Sequence, residues 1–215
     1  MKEDIKRYVQ GYFKCQQNKV QHQKKAGELH PLKIPQRLWQ EISIDIIGPL
    51  PRLNRIDAIV VIIDQFMKMI RLKVTTTSIS SEGIVKIYKD NIWKLHGVPG
   101  KILSDWGPQF ASRFMEEFMK TLGTKRQLST AYHPQTDGQM ERINQEIGIF
   151  LWYYVNYQQD NWTDWLATVE FQYNNKKHVA TGRIPFELNF GRHQWKGDLV
   201  VQTEIPRVEE FLIEI

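Results

Sequence analysis

Three apolar stretches follow one another closely in the first half of the chain. Residues 42–47 alternate apolar and polar side chains, residues 58–63 are apolar throughout, and a third stretch runs from Phe66 to Val74. Alternation is typical of a strand with one buried face, whereas a short continuous apolar run is typical of a strand buried on both faces. The pattern therefore predicts three consecutive β-strands.

Helices and strands alternate in the remainder of the chain. Ser80 and Ser81 are good N-caps for a helix with apolar residues at helical spacing, and Gly97 and Pro99 end that helix. The later predicted elements are a strand at 101–104, a helix at 111–122, a strand at 125–128, a helix opened by a capping box between Thr136 and Gln139, and a helix at 162–173. This order predicts an α/β domain with a mixed β-sheet flanked by helices.

Positive charge is concentrated at the amino-terminal end. Residues 1–35 contain eight Lys or Arg and three Asp or Glu, so this segment carries the whole net charge of +5 and the remaining residues sum to zero. A basic arm of this kind either contacts nucleic-acid phosphates or is a solvated tail. Charge alone does not distinguish these two interpretations.

Two classes of protein are excluded by composition. Cys15 is the only cysteine, so it forms no disulfide within the chain and cannot by itself build a zinc site. The sequence has no run of about 18 apolar residues, and its basic start leads into no apolar stretch of the signal-peptide kind. We therefore expect neither a secreted disulfide scaffold nor a membrane protein.

Three acidic residues stand out by their position in the predicted elements. Asp45 lies among isoleucines in the first strand, Asp105 follows the apolar end of another strand, and Glu141 lies in the first turns of the long helix. A carboxylate beside a core needs a cation or hydrogen bonds, and the carboxyl ends of strands in open α/β sheets bind ligands. If the long helix packs over those strand ends, the three carboxylates converge.

Convergent carboxylates offer the hard oxygen ligands that Mg²⁺ and Mn²⁺ prefer. Two such ions about 4 Å apart would hold a phosphodiester and assist phosphoryl transfer without a covalent intermediate. For any one of the acids taken alone, a surface charge or a helix cap is the simpler interpretation. Asp64, after the second strand, is either a fourth ligand or, as we favour, a hydrogen-bond acceptor in a turn.

Six blocks of sequence resemble the integrase of gypsy-type (Metaviridae) long-terminal-repeat retrotransposons, the catalytic core region of a pol polyprotein. The blocks are ISIDIIGPLP, VIIDQFMKM, WKLHGVPGKILSDWGPQF, STAYHPQTDGQMERINQ, NWTDWL and YNNKKHVATGRIPFELNFGR. The similarity extends over roughly residues 1–210. The longest blocks contain Asp105 and Glu141.

The resemblance implies a ribonuclease H-like fold of the retroviral integrase core type. It places a D, D, E triad at Asp45, Asp105 and Glu141, both as catalytic residues and as ligands of two Mg²⁺ or Mn²⁺ ions. The implied activity is that of a polynucleotidyl transferase and endonuclease, which processes DNA 3′ ends and transfers them into target DNA. The implied setting is a homo-oligomer on element ends and target DNA, away from membranes, in the nucleus or in a cytoplasmic virus-like particle.

The loop before the glutamate helix is implied to approach the DNA. We expect DNA contacts from Tyr132, His133 and Gln135 in this loop, and a merely polar loop is the equal alternative. Asn144 lies one helical turn after Glu141 on the same face. It is therefore expected either to orient the Glu141 carboxylate or to contact DNA.

The amino-terminal region departs from the family pattern. The family's zinc module uses two histidines and a Cys-x-x-Cys pair, but Tyr12 stands at the first cysteine position and only Cys15 remains. His22 and His30 lie beyond the pair and lack the required spacing. We therefore expect no structural zinc here.

The resemblance also implies three segments within a longer polyprotein. Residues 1–35 correspond to the remnant of the zinc module and a basic linker, residues 36–195 to the catalytic core, and residues 196–215 to the start of a carboxyl-terminal connecting segment.

Two tryptophans occupy positions where the family usually has arginine. Trp106 directly follows the second aspartate, and Trp152 lies in the long helix. Two functions are therefore open: an active integrase core, or a decayed or domesticated relic that binds DNA or a partner without strand transfer. The intact triad favours the first function, whereas the tryptophans and the truncated zinc module favour the second.

Overall fold

The computed structural model describes residues 35–105, 107–128 and 134–194, together with Lys2, Glu3 and Tyr8; of the side chains in 134–139, only position 138 is described. The chain divides into two compact units, Met1–Lys33 and Ile34–Ile215. The three described residues of the first unit are exposed. The predicted segments 1–35 and 196–215 fall almost entirely outside the described residues, so their assignments stay predictions.

Five strands form a mixed sheet in the described part of the second unit. They are β1 (Glu41–Ile47), β2 (Ala58–Asp64), β3 (Ile70–Thr75), β4 (Lys101–Ser104) and β5 (Lys125–Leu128), in the spatial order β3-β2-β1-β4-β5. Strands β1 and β3 are each antiparallel to β2, whereas β4 is parallel to both β1 and β5. The mixed sheet predicted from the sequence is confirmed.

Helices pack against this sheet. They are α1 (Ser81–Tyr88), a π-helical turn (Lys89–Trp93), α2 (Lys94–His96), α3 (Pro108–Ala111), α4 (Arg113–Thr121), α5 (Pro134–Tyr154), α6 (Leu166–Asn174) and α7 (Pro185–Phe190). Ser80 caps α1, as predicted, because its hydroxyl accepts a hydrogen bond from Gly83 N–H at 3.2 Å. Within the described ranges, no helix is long and apolar enough to cross a membrane.

Two hydrophobic cores lie on opposite faces of the sheet, because successive side chains of a strand point to opposite faces. One core contains Val60 and Ile62 of β2 with buried residues of α1, α3 and α4, and the other contains Val61 and Ile63 with buried residues of α5 and α6. Strand β2 is therefore buried on both faces, which explains its continuous apolar sequence.

Side chains of α6 close the outer edge of β3. Asn174 is fully buried, and its amide accepts a hydrogen bond from Ile70 N–H and donates one to Ile70 O, both at 2.9 Å. Glu170 accepts a further bond from Leu72 N–H at 2.8 Å. These bonds satisfy backbone groups that would otherwise be available to another strand.

The third strand is shorter than predicted. It begins at Ile70 rather than Phe66, because a turn around Asp64 intervenes. The Asp64 carboxylate accepts hydrogen bonds from Met67 N–H at 2.7 Å and from Trp39 N–H at 2.8 Å. Asp64 is thus a buried structural acceptor, as the sequence favoured, and its burial raises the pKa of its carboxyl group.

Three predicted helices differ from the observed ones. The second is broken at Ser112, whose hydroxyl caps α4. The long helix begins at Pro134, so Thr136 lies inside it and is not its N-cap. The last predicted helix begins at Leu166 rather than at Trp162, which lies in the preceding turn and donates from its indole N–H to a backbone carbonyl.

Candidate active site

Asp45 lies on the face of the sheet that packs against α5. It is opposite Val61 in the antiparallel pairing of β1 with β2, and residues directly opposite each other share a face. Val61 belongs to the core that includes α5, so Asp45 faces the same helix. The residue is partly exposed, and its Oδ1 accepts a hydrogen bond from Ile46 N–H at 2.8 Å.

Asp105 reaches the same edge of the sheet from the neighbouring strand. The parallel register of β1 and β4 pairs Ile44 with Ser104. Asp45 and Asp105 are the residues that directly follow this pair on the two neighbouring stretches of chain. Asp105 lies just beyond the end of β4 and is exposed. Its Oδ1 accepts a hydrogen bond from Gly107 N–H at 3.0 Å, which orients the carboxylate.

Helix α5 contributes Glu141 and Asn144. Met140 and Ile143 on the same helix are buried against the sheet, which leaves Glu141 exposed and turns Asn144 toward β1. Asn144 Nδ2 donates a hydrogen bond to Asp45 Oδ2 at 2.7 Å. The sequence led us to expect that this amide orients the carboxylate of Glu141. The observed partner is instead Asp45, because the packing of α5 turns the amide toward β1.

A cavity of about 550 Å³ is lined by all three acids of the predicted triad. Its lining includes Asp45, Asp105, Glu141 and Asn144, as well as Ser43, Ser104 and Gln145, which the sequence analysis did not single out. Spacing signals could have identified two of these three additions. Ser43 is two residues from Asp45 on the same strand face, and Gln145 is one helical turn from Glu141.

The chemistry of these donors fits a hard divalent cation, because carboxylate oxygens are the ligands that Mg²⁺ and Mn²⁺ prefer. Across the described ranges, however, no group of three or more His, Cys, Asp or Glu side chains is close enough to hold a metal ion. The three carboxylates share a cavity without forming a closed ligand cluster. Asn144 Oδ1 is buried there and has no hydrogen-bond partner among the described residues, which leaves an acceptor for a bound water or ligand.

The predicted DNA-contacting loop falls outside the description. Tyr132 and His133 are not among the described residues, and neither is the side chain of Gln135. Their contacts with DNA stay predictions, as does any DNA contact of Asn144. Trp106 also lies outside the described residues.

His96 is a half-buried titratable residue that does not line this cavity. Its ring stacks on Trp39 with the ring centroids 3.9 Å apart, and Trp39 Nε1 donates to Asn189 Oδ1 at 3.0 Å. Burial and the nearby charge of Arg71 lower the pKa of His96 to about 4. His96 is therefore neutral near pH 7 and has a packing role.

Comparison with known proteins identifies the domain. Residues 35–134 match the family model described as integrase core domain. These residues belong to the integrase core family. The resemblance to gypsy-type retrotransposon integrases that the sequence blocks indicated is confirmed.

Two curated relatives of this chain are much longer proteins. The chain is 33% identical over 188 residues to the Transposon Tf2-3 and Tf2-4 polyproteins of Schizosaccharomyces pombe. The match covers 87% of this chain and 14% of each polyprotein. The chain therefore spans a small part of the length of these relatives.

Retroviral proteins are among the solved structures similar to this chain. The chain aligns with a simian T-cell lymphotropic virus intasome in complex with the PP2A regulatory subunit B56 gamma, at a TM-score of 0.61 over 95% of this chain and 71% of that chain. It also aligns with the HTLV-2 integrase catalytic core domain in complex with magnesium, at a TM-score of 0.54 over 69% of this chain and 95% of that one. Sequence identity is 18% in both cases. The predicted ribonuclease H-like fold is confirmed.

Proposed function

We propose that this chain is the catalytic core of a retrotransposon integrase that processes DNA 3′ ends and joins them to target DNA. The observation that carries the proposal is the single cavity lined by Asp45, Asp105 and Glu141. These residues come from a central strand, the loop after its parallel neighbour, and a helix packed across the sheet. Membership of the integrase core family supports polynucleotidyl transfer as the broad class of reaction.

The side chains of the cavity are arranged to hold carboxylates in fixed orientations. Asp45 is held by Asn144 Nδ2 and Ile46 N–H, and Asp105 by Gly107 N–H. Glu141 is carried by a helix whose neighbouring residues are buried against the sheet. Carboxylates supported in this way by secondary-structure elements keep their geometry better than those of unsupported loops.

These three carboxylates would hold two Mg²⁺ or Mn²⁺ ions, which supply electrostatic stabilisation to the reacting phosphodiester when bound. Because the described acids form no closed ligand cluster, the protein alone offers an incomplete set of ligands. Phosphate oxygens of DNA and water molecules would complete it, as is usual at sites that bind Mg²⁺ weakly without substrate. The similar HTLV-2 core was solved in complex with magnesium, which supports the same choice of metal.

DNA is the proposed partner, and the chain is proposed to act as a homo-oligomer. The basic segment 1–35 would contact DNA phosphates through its eight Lys and Arg side chains, which outnumber its three Asp and Glu side chains. The loop containing Tyr132, His133 and Gln135 would approach the DNA ends. Similar structures include an intasome and a trimeric core, which supports assembly with like chains. The nucleus or a cytoplasmic virus-like particle is the proposed location.

A strand-transfer assay tests this function. The chain is incubated with oligonucleotides that match the element ends, a target duplex and either Mn²⁺ or Mg²⁺. We expect joined products that require both the divalent ion and a free 3′ hydroxyl. If the chain binds the oligonucleotides but neither trims nor joins their ends with either metal, it is instead a decayed or domesticated relic, the second function that the sequence left open.

A further inference from the structure

A cation from a neighbouring strand holds the turn that follows Asp105. Arg126 lies on β5, and its Nη1 donates to the carbonyl oxygens of Phe110 at 3.0 Å and Ser112 at 3.5 Å. Its Nη2 also lies 3.7 Å from a carboxylate oxygen of Glu116. The last carbonyls of a helix have no partner within the helix, so the guanidinium satisfies the Phe110 carbonyl near the end of α3, whereas Ser112 O also accepts a hydrogen bond from Glu116 N–H at 3.1 Å.

A continuous series of contacts connects Arg126 with the carboxylate of Asp105. Phe110 N–H and Ala111 N–H both donate to Gly107 O at 2.9 Å, which closes the single turn of α3. Gly107 N–H in turn donates to Asp105 Oδ1 at 3.0 Å. The orientation of the Asp105 carboxylate therefore depends on where α3 lies, and Arg126 binds the far end of that helix.

We propose that Arg126 is a positioning residue for Asp105, which fixes α3 on the sheet and so orients one of the three carboxylates of the candidate site. This inference rests on the proposed function. The planar guanidinium donates in several fixed directions, whereas a lysine ammonium is a compact charge on a flexible stem. Arg126→Lys therefore retains the charge but loses simultaneous contact with two carbonyl groups.

Arg113 provides a matched control on the surface of α4. Its side chain is 90% exposed and pairs with Glu117 one helical turn away at 3.0 Å. Exposed pairs of this kind contribute little to stability. Arg113→Lys is therefore the same chemical change at an exposed side chain whose observed partner is Glu117.

The test measures amide hydrogen exchange and Mn²⁺ binding in the full chain and in the Arg126→Lys and Arg113→Lys variants. Arg126→Lys is expected to speed exchange at the Gly107 amide and to weaken Mn²⁺ binding by about tenfold, the size typical of lost support behind a ligand. Arg113→Lys is expected to change neither. A lower melting temperature of Arg126→Lys with unchanged Gly107 exchange and Mn²⁺ affinity would show a merely structural role and overturn the proposal.

An Asp105→Asn variant separates this proposal from the proposed function. If that variant binds Mn²⁺ as tightly as the unmodified chain, Asp105 is not a ligand and the proposed function is wrong. Even if Asp105 is not a ligand, the exchange rate at the Gly107 amide in Arg126→Lys shows whether Arg126 holds the turn. This rate depends on the turn itself and not on bound metal.

Discussion

Asn144 Nδ2 donates a hydrogen bond to Asp45 Oδ2 at 2.7 Å and so joins helix α5 to the central strand β1. The helix is fixed on the sheet by Ile143 and Ile147, which are buried in the core beneath it. The orientation of Asp45 therefore depends on the packing of α5. Because Glu141 lies on the same helix, one packing arrangement sets the positions of two of the three carboxylates.

The first prediction concerns this hydrogen bond. Asn144→Ala removes the donor, and Asn144→Asp places a second carboxylate against Asp45. We expect both variants to slow strand transfer by about 10- to 100-fold, the usual cost of removing a group that orients a ligand. Rates are measured over a range of Mn²⁺ concentrations at saturating DNA.

Asn156→Ala is the control for that experiment, because the Asn156 amide bonds Asp160 in an exposed loop after α5. Its strand-transfer rate should match that of the unmodified chain. An Asn144→Ala rate within about twofold of the unmodified rate would show that Asp45 needs no such support.

Sequence patterns predicted most of the elements and singled out the three acids by their positions, for physical reasons that are local, whereas the convergence of the acids was implied by the resemblance to the integrase family. The alternation of residues around Asp45 predicted the face of the sheet on which Asp45 lies. The position of Asp105 after an apolar strand predicted that it lies at the edge of the sheet where that strand ends. The start of β3 was missed because the turn around Asp64 depends on Trp39, a donor from a distant part of the chain. The partner of Asn144 was missed because the rotation of a helix about its axis is set by tertiary packing.

The second prediction concerns the edge of β3. Asn174→Ala leaves the buried N–H and C=O of Ile70 without their side-chain partner, at about 1–3 kcal/mol for each unsatisfied group. We expect the free energy of unfolding in urea to fall by about 3 kcal/mol. Asn175→Ala removes a neighbouring amide that contacts Gln194 O at 3.2 Å, and we expect it to cost less than about 1 kcal/mol. Equal losses for the two variants would contradict the capping role.

The third prediction concerns Trp106, which follows Asp105 in the chain. Restoring the arginine that the family usually has there would replace a bulky ring with a flexible cation at the residue next to Asp105 in the sequence. Misplacement of a reacting group by about 1 Å costs on the order of a hundredfold in rate, so we expect Trp106→Arg to raise strand transfer by about tenfold or more.

Trp152→Arg is the matched control for this change. Trp152 is 46% exposed near the far end of α5, several turns from Glu141, so its replacement should leave the rate unchanged. Equal rates for Trp106→Arg and the unmodified chain would show that the tryptophan is tolerated.

The fourth prediction concerns acid stability. The pKa of His96 is lowered from 6.5 to about 4, so the unfolded chain takes up a proton in this window while the folded chain does not. The stability that His96 contributes is therefore complete above pH 6.5 and is lost as the pH falls toward 4. His96→Phe retains a ring on Trp39 without a titrating group.

Urea unfolding at pH 7 and pH 5 checks this expectation. The drop in the free energy of unfolding between the two pH values should be smaller for His96→Phe than for the unmodified chain. His193→Phe, at an exposed position, should show the full drop. The same drop in all three proteins would show that His96 titrates normally in the folded chain.

The proposed function requires that Asp45, Asp105 and Glu141 act together in metal-dependent strand transfer. Its most direct test is the strand-transfer rate of Glu141→Gln, which keeps the shape of the side chain and removes its charge, beside Asp160→Asn at an exposed acid outside the cavity. Both changes are made in the unmodified chain and in the Trp106→Arg background. We predict that Glu141→Gln lowers the rate by more than about a hundredfold while DNA binding and Asp160→Asn activity are unchanged. A Glu141→Gln protein that joins DNA ends at the rate of its parent would show that Glu141 takes no part in the reaction.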